Sequence, residues 1–210
     1  MSKGKFIVIE GGDGSGKGSC IKRLREAFGH DPSVVFTREP GGTNISEQIR
    51  DILMSKENEG MTVITELLLF CASRAQHCEE LIAPAVALGR NVICDRFEGS
   101  TYAYQICGRE RGSYADMFKA VNAIARQSVR PDLVVYLDVD PNIALARRAE
   151  EGVTTRFDVE AVPFHQRVRE GYLQMAKEDG WVVVDASLPK EVVQNQTLDI
   201  VRAFLERSCQ

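Results

Sequence analysis

The sequence predicts an α/β fold, a doubly wound five-stranded parallel sheet flanked by helices. Short, continuous apolar runs of strand length recur along the chain, and such runs are typical of parallel strands that are buried on both faces. Longer stretches with helical spacing separate the runs, and this alternation favours right-handed crossovers. The chain has 210 residues, which suits one domain, 1–210.

Each predicted element can be read from the order of the chain. The strands are Phe6–Ile9, Val34–Phe36, Asn91–Cys94, Leu133–Leu137 and Trp181–Val184. The helices are Ser19–Phe28, Ile45–Met54, Thr62–Leu88, Ala115–Gln127, Pro141–Glu150, Glu160–Lys177 and Glu191–Arg207. Pro141 suits a first helical position and Gly180 a helix end, which supports two of these boundaries.

Composition excludes several classes of protein. The formal charge of −4 gives no global positive field that would attract a nucleic acid polymer or an anionic membrane. The sequence contains no run of about 18 apolar residues and no recognisable signal peptide, so we expect no membrane association. The six cysteines form no C-x-x-C pair and the three histidines no metal-ligand spacing. We therefore expect reduced cysteines in a cytoplasmic protein.

A glycine-rich segment follows the first predicted strand and reads FIVIEGGDGSGKGS from Phe6. A strand, the spacing Gly11-x-x-x-x-Gly16-Lys17 and then a helix are typical of a P-loop, although a glycine-rich turn without a ligand is the alternative. Backbone N–H groups and the helix N-terminus can bind phosphates there, and Lys17 can reach the β- and γ-phosphates. We predict a P-loop NTP hydrolase-like fold whose ATP site includes Gly11, Gly12, Asp13, Gly14, Ser15, Gly16, Lys17, Gly18 and Ser19.

One position of this loop departs from the usual pattern. Gly18 stands where many P-loops carry the serine or threonine that binds magnesium, and Ser19 comes next. The Gly-Lys-Gly-Ser variant resembles adenylate and related nucleoside monophosphate kinases. That resemblance implies Mg²⁺ held largely through water and phosphate oxygens, with Ser19 and Asp95 as contacts through water.

Further motifs carry a wider resemblance. They are TREPGGT at Thr37–Thr43, LLFCASRAQ at Leu68–Gln76, DRFEGSTYAYQ at Asp95–Gln105 and EEGVTTRFD at Glu150–Asp158. Together with the P-loop they resemble thymidylate kinases, most closely the bacterial type, in order and spacing over nearly the whole chain. The resemblance implies ATP-dependent phosphorylation of dTMP to dTDP, in dTTP synthesis, by a homodimer that uses Mg²⁺.

Two pairs of residues in these motifs are candidates for binding the base of the acceptor nucleotide. Phe70 and Arg74 lie four residues apart on a predicted helix, so a ring that stacks on a base and a donor to its carbonyl share one face. Periodicity alone favours a core role for Phe70, and the resemblance assigns the pair to thymine. It assigns Thr101 and Gln105, also four apart, to polar contacts. Tyr104 either excludes a ribose 2′-hydroxyl or packs against the sheet.

The acceptor phosphate is assigned to the end of the third strand. Ligands of doubly wound folds gather at the carboxyl ends of strands, and Arg96 can bind a phosphate there; a solvated Asp95–Arg96 surface pair is the alternative. The resemblance places Arg96 and Arg50 at the phosphate, Asp95 near the magnesium and Asp13 near the deoxyribose 3′-hydroxyl. It adds three further residues to the acceptor site: Glu39, Pro40 and Ser100.

A lid is expected at about residues 147–158, around the polar segment Glu150–Asp158. Thymidylate kinases carry an arginine for the transferring phosphoryl either after the acidic P-loop residue or on the lid, and Gly14 at the first position indicates the lid. The resemblance assigns Arg156 to this role and Arg147 and Arg148 to ATP, although a solvated basic helix end is the alternative. The predicted catalytic residues are Lys17, Asp95, Arg96 and Arg156.

Two other functions remain open from the sequence. One is a deoxynucleoside monophosphate kinase of broader base tolerance. The other is a P-loop switch or assembly protein that binds nucleotide in order to change partners. The second nucleotide pocket, predicted at Phe70, Arg74 and Arg96, argues against the switch, which has no need of one.

Overall fold

In the computed structural model, which describes residues 3–151 and 160–207, the five predicted strands form one sheet. Every pairing is parallel and the strand order is β2-β3-β1-β4-β5. The strands are β1 (Phe6–Gly11), β2 (Val34–Arg38), β3 (Asn91–Asp95), β4 (Leu133–Asp138) and β5 (Val182–Asp185). The predicted doubly wound α/β sheet is therefore confirmed.

Helices connect the strands in the described part of the chain. They are α1 (Lys17–Phe28), α2 (Asn44–Met54), α3 (Val63–His77), α4 (Ala83–Ala87), α5 (Glu98–Thr101), α6 (Ala115–Arg126), α7 (Pro141–Glu151), α8 (Val162–Asp179) and α9 (Lys190–Arg207). Short 3₁₀ turns occur at Lys56–Asn58 and Gly112–Tyr114, and π-helical segments at Cys78–Ile82 and Tyr102–Gly108. No helix of these described residues is both long and apolar enough to span a membrane.

The predicted helix Thr62–Leu88 is confirmed in extent, and a π-helical segment lies inside it. The helix α3 ends at His77, and the wider π-helical segment Cys78–Ile82 separates it from α4. Pro84 lies in the first turn of α4, and it has no backbone N–H with which to continue the regular ladder. The hydrogen-bond pattern of the helix therefore changes immediately before the proline.

The alternation of side chains along β1 explains why its apolar run is continuous. Ile7 and Ile9 pack in one core with residues of α1 and α9, whereas Phe6 and Val8 pack in a second core with the segment around α4. All four side chains are at most 1% exposed. Both faces of the strand are thus covered, as expected for a parallel sheet with helices on each side.

Five of the six cysteines lie in the described part of the chain. Cys20, Cys71, Cys78 and Cys94 are buried and free, and Cys107 is half-buried and free. Burial raises the pKa of each of these thiols. They therefore pack as small apolar groups rather than as reactive thiolates.

We expect the core around α1 to contribute strongly to stability. Leu24 is fully buried between α1 and the sheet, so Leu24→Ala leaves a cavity and should lower the free energy of unfolding by about 2–5 kcal/mol. Chemical denaturation measures this change. Leu88→Ala is the control because Leu88 is 73% exposed. Equal losses in the two variants would contradict the described core.

Candidate active site

The pairing of two strands brings the two main motifs together. Ile9 of β1 lies opposite Asp95 of β3 in the parallel register. The glycine-rich loop that follows β1 and the Asp95-Arg96 turn that follows β3 therefore emerge side by side at the carboxyl edge of the sheet. This edge is where a doubly wound fold binds its ligands.

The loop between β1 and α1 has the conformation that a phosphate-binding loop needs. Gly14 and Gly16 have φ angles of 79° and 81°, a left-handed conformation that glycine adopts without a steric penalty. Ser15 is buried, and its Oγ has no hydrogen-bond partner among the described atoms. Its hydroxyl and the N-terminus of α1 suit an anionic ligand.

Lys17 and Asp95 form an ion pair at this edge, with 2.5 Å between Lys17 Nζ and Asp95 Oδ1. Burial acts to raise the pKa of the Asp95 carboxyl, but Lys17 and Arg96 together hold it below its ordinary value. The structure therefore brings these predicted catalytic residues together, with Asp95 ionised.

A first cavity lies over the glycine-rich loop and has a volume of about 810 Å³. Of the residues predicted to bind ATP, Gly12 to Ser19, Arg147 and Arg148 line one part of it, and Gly11 does not. The opposite part is formed by Ala186 to Lys190, which the sequence analysis missed because this short connection after β5 carries no recognisable motif. Arg147 contacts this connection, since its Nη1 donates to the carbonyl oxygen of Ala186 at 2.9 Å.

The second cavity has a volume of about 130 Å³ and adjoins the first. Its lining residues are Asp13, Glu39, Pro40, Arg50, Met54, Phe70, Arg96, Ser100, Tyr104 and Gln105. Asp13 lines both cavities, so the two meet at the glycine-rich loop. Of the second set, only Met54 was missed, because nothing in the sequence distinguishes it from an ordinary residue at the end of α2.

Two arginines, Arg50 and Arg96, line the smaller cavity together with Asp13 and Glu39. Arg50 donates from Nη1 to the carbonyl oxygen of Pro40 at 2.9 Å, and Arg96 donates from Nη2 to Asp13 Oδ1 at 2.7 Å. Burial, followed by the charge of Arg38, lowers the pKa of Arg50, and Arg96 acts in the same direction. A phosphate ligand in this cavity could accept charge-assisted hydrogen bonds from both guanidinium groups.

A buried glutamate that the sequence analysis missed lies beneath Arg96. Glu10 of β1 is 1% exposed, and burial raises the pKa of its carboxyl. The backbone N–H groups of Phe97 and Ser100 donate to Glu10 Oε1 at 2.9 Å and 3.1 Å. Its position in an otherwise apolar strand could have indicated a special role. A buried carboxylate is costly unless dedicated hydrogen-bond donors surround it.

Tyr104 is fixed at the boundary between the cavities. Its hydroxyl donates to Asp13 Oδ2 at 2.9 Å and accepts from the backbone N–H of Asp13 at 3.1 Å. Arg96 lies over its ring at 5.3 Å from the centroid. The ring therefore forms part of the cavity wall as well as packing in the core.

Arg74 and Thr101 lie behind the second cavity and do not line it. Arg74 is 1% exposed, and its guanidinium donates at 2.9 Å to Glu39, Asn122 and Thr101. Phe70 and Arg74 therefore do not face the same cavity: Phe70 lines it, and Arg74 lies in the interior. A buried guanidinium needs several acceptors, and Arg74 has them there. Thr101 and Gln105 also separate, since α5 ends at Thr101 and Gln105 lies in the π-helical segment.

The space around Gly14 bears on where an arginine for the transferring phosphoryl can lie. A Cβ atom at Gly14 would be 2.2 Å from the carbonyl oxygen of Ala144 in α7. A side chain at this position would therefore collide with backbone. Residues 147–151 of the expected lid belong to α7, and Arg156 lies outside the described residues.

The oxygen donors at the P-loop suit magnesium better than a softer metal. Asp95 offers a carboxylate, and Ser19 offers a hydroxyl that donates to the carbonyl oxygen of Gly16 at 2.7 Å. Within residues 3–151 and 160–207, no group of three or more His, Cys, Asp or Glu is arranged to hold a metal ion. Mg²⁺ commonly uses one or two carboxylates together with phosphates and water, and Asp95 could supply one such carboxylate.

Comparison with known proteins agrees with this geometry. The family model for thymidylate kinase matches residues 9–197. The thymidylate kinase of Clostridium novyi (strain NT) is 44% identical over 85% of this chain and 87% of its own length. Those of Magnetococcus marinus and Bacillus cytotoxicus are 42% and 41% identical, over 91% and 97% of this chain and 92% and 99% of their own. The chain belongs to the thymidylate kinase family.

Proposed function

We propose that the protein transfers the γ-phosphoryl group of ATP to dTMP, giving dTDP and ADP. The observation that carries the proposal is the meeting of two cavities at Asp13. One follows a glycine-rich loop with a lysine, and the other combines two arginines with the aromatic ring of Phe70. A donor nucleotide in the first and a nucleoside monophosphate in the second would place their phosphates at the shared boundary.

Alignment and charge neutralisation would supply most of the catalysis. Lys17 is positioned to stabilise the transferring phosphoryl group, and Arg50 and Arg96 to hold the acceptor phosphate. No strong general base is needed, because the phosphate dianion of the acceptor is already nucleophilic. Mg²⁺, held near Asp95 and Ser19 largely through water, would neutralise charge on the phosphates when bound.

The acceptor base would bind against Phe70, whose ring is half-buried and lines the smaller cavity. Gln105 also lines it, and its Nε2 donates to the buried carboxylate of Glu66 at 2.7 Å. Arg74 and Thr101 would act on the base indirectly, because Arg74 donates both to Thr101 and to Glu39, which lines the cavity. Tyr104, fixed on Asp13, would leave little room for a ribose 2′-hydroxyl.

Several finer assignments belong to the same proposal. Arg156 would contact the transferring phosphoryl group from a lid at about 147–158, and Arg147 and Arg148 would contact ATP. A side chain at Gly14 would collide with the backbone of Ala144, which supports an arginine supplied from the lid instead. The chain would act as a single domain in a cytoplasmic homodimer. Exposed apolar side chains on helices that pack side by side, α2, α3 and α6, support a dimer surface: Ile45, Ile52, Leu68 and Ile124.

A panel of acceptors tests the proposed reaction. Purified protein is incubated with ATP, Mg²⁺ and one of dTMP, dUMP, dCMP, dGMP or AMP, and ADP and the new diphosphate are quantified. We expect ADP formation that depends on dTMP and yields dTDP. Equal turnover of all the deoxynucleotides would indicate the broader kinase, and ADP formation independent of any monophosphate would indicate the P-loop switch.

Replacement of the P-loop lysine should nearly abolish turnover. One well-placed donor to the transferring phosphoryl contributes roughly 3–4 kcal/mol, so Lys17→Ala should lower kcat by about 10²–10³-fold. Lys22→Ala is the matched control, since Lys22 is exposed on the same helix. Steady-state kinetics compare the two variants, and a Lys17→Ala variant with nearly unchanged kcat would refute the assignment of the P-loop.

Replacement of Arg50, one of the two arginines that line the second cavity, should affect binding of the acceptor alone. Hydrogen bonds to charged groups contribute about 1.5–3 kcal/mol, so Arg50→Ala should raise the KM for dTMP by about 10- to 100-fold and leave the KM for ATP nearly unchanged. Arg202→Ala, on the exposed side of α9, is the control. If Arg50→Ala weakened ATP instead, the two cavities would have been assigned the wrong way round.

A further inference from the structure

Arg96 adopts an uncommon backbone conformation, with a φ angle of 72° for a residue that is not glycine. The backbone is fastened on both sides of this residue. The N–H of Arg96 donates to the carbonyl oxygen of Ile9 at 3.0 Å, and the N–H of Phe97 donates to Glu10 Oε1 at 2.9 Å. Consecutive residues of β1 therefore hold the turn in place.

Glu10 does more than hold the backbone. Its Oε2 accepts a hydrogen bond from Ser100 Oγ at 2.6 Å, and a longer one from the Tyr172 hydroxyl at 3.4 Å. The carboxylate is buried, so each of these donors compensates part of the cost of removing it from water. Side chains from α5 and α8 thus converge on one acidic group of β1.

The same two hydroxyls also contact the guanidinium of Arg96. Its Nη1 donates to Ser100 Oγ and to the Tyr172 hydroxyl oxygen, each at 3.0 Å. The two hydroxyl oxygens also lie 2.7 Å apart, so Tyr172 shares its hydrogen between Ser100 Oγ and the more distant Glu10, while Ser100 donates to Glu10 and still accepts from Arg96. Arg96 is therefore linked to Glu10 through Nη1 and directly to Asp13 through Nη2.

We propose that Glu10 and Tyr172 are positioning residues for Arg96, and through it for the phosphate of the acceptor nucleotide. They occupy the Nη1 side of the guanidinium and so turn its Nη2 edge toward Asp13 and the smaller cavity. This role rests on the proposed function, in which that cavity binds dTMP. The strength of a charge-assisted hydrogen bond depends on the orientation of its donor. Loss of the hydrogen bonds between Arg96 and these residues should therefore weaken dTMP binding more than ATP binding.

A neighbouring tyrosine provides a matched control. The rings of Tyr172 and Tyr136 stack with their centroids 4.9 Å apart, and the two residues are 0% and 2% exposed. The hydroxyl of Tyr136 donates instead to Asp138 Oδ1, at 3.1 Å. Tyr172→Phe and Tyr136→Phe therefore each remove one buried hydroxyl from the same stack, and a purely structural role would give them equal effects.

The experiment measures dissociation constants for dTMP and ATP by titration calorimetry, with the melting temperature of each variant. Loss of an orienting bond to a charged group should weaken dTMP by about tenfold in Tyr172→Phe and leave ATP within about twofold. Tyr136→Phe should change neither. Glu10→Gln, which keeps the volume but replaces an acceptor by a donor, should weaken dTMP at least as much. Equal dTMP affinities in the two tyrosine variants would overturn the proposal.

A second background shows whether the effect passes through Arg96. In Arg96→Ala protein, titrated with millimolar dTMP, Tyr172→Phe should cause no further loss, because the group that it orients is gone. Additive losses would overturn the proposal. If the wild-type protein bound no dTMP, the proposed function itself would be wrong. If the wild-type protein bound dTMP and Tyr172→Phe bound it with the same affinity, only the positioning role would be wrong.

Discussion

The parallel pairing of β1 with β3 is the constraint on which the site depends. It places the end of β1 opposite Asp95, so the glycine-rich loop and the Asp95-Arg96 turn emerge together. The helices that follow each strand then supply the remaining walls, α1 beneath the loop and α5 beside Arg96. A shift of this register by one residue would turn the side chains of β1 to the opposite face and separate Glu10 from the turn that it supports.

Charge is balanced locally in this site although the chain as a whole is negative. Lys17 is paired with Asp95 and Arg96 with Asp13, and Arg50 donates to a backbone carbonyl. Removing one partner of a buried ion pair commonly costs about 3–5 kcal/mol. The acidic partners therefore keep the cationic side chains in place before phosphates bind. These side chains remain close enough to the cavities to contact the phosphates of bound nucleotides.

The sequence was sufficient for the sheet and for most of the second cavity. Continuous apolar runs predicted the five strands, and the motifs around Phe70, Arg96 and Tyr104 predicted residues that do line one cavity. The strand prediction is confirmed because a local apolar pattern records local structure, and the functional roles of the cavity residues stay predictions.

Predictions that depended on distant contacts were less complete. The position of Arg74 behind the wall follows from Glu39 and Asn122, which lie 35 and 48 residues away in the chain. Tyr172 contacts Glu10 although 162 positions separate them in the chain, and no spacing in the sequence predicts that contact. The change to π-helical hydrogen bonding after His77, near the missing N–H of Pro84, leaves the helical spacing of the sequence unaltered and so could not be predicted from it.

A crystal structure with a bisubstrate ligand, deoxythymidine joined to adenosine through a chain of phosphates, tests most directly whether the two cavities are the two halves of one reaction site. We expect adenosine in the cavity over the glycine-rich loop and thymine against Phe70. The phosphate chain should pass Lys17 and reach Arg96 and Arg50. A ligand whose deoxythymidine half lies outside the smaller cavity, with Arg96 and Arg50 making no contact to its phosphates, would contradict the account.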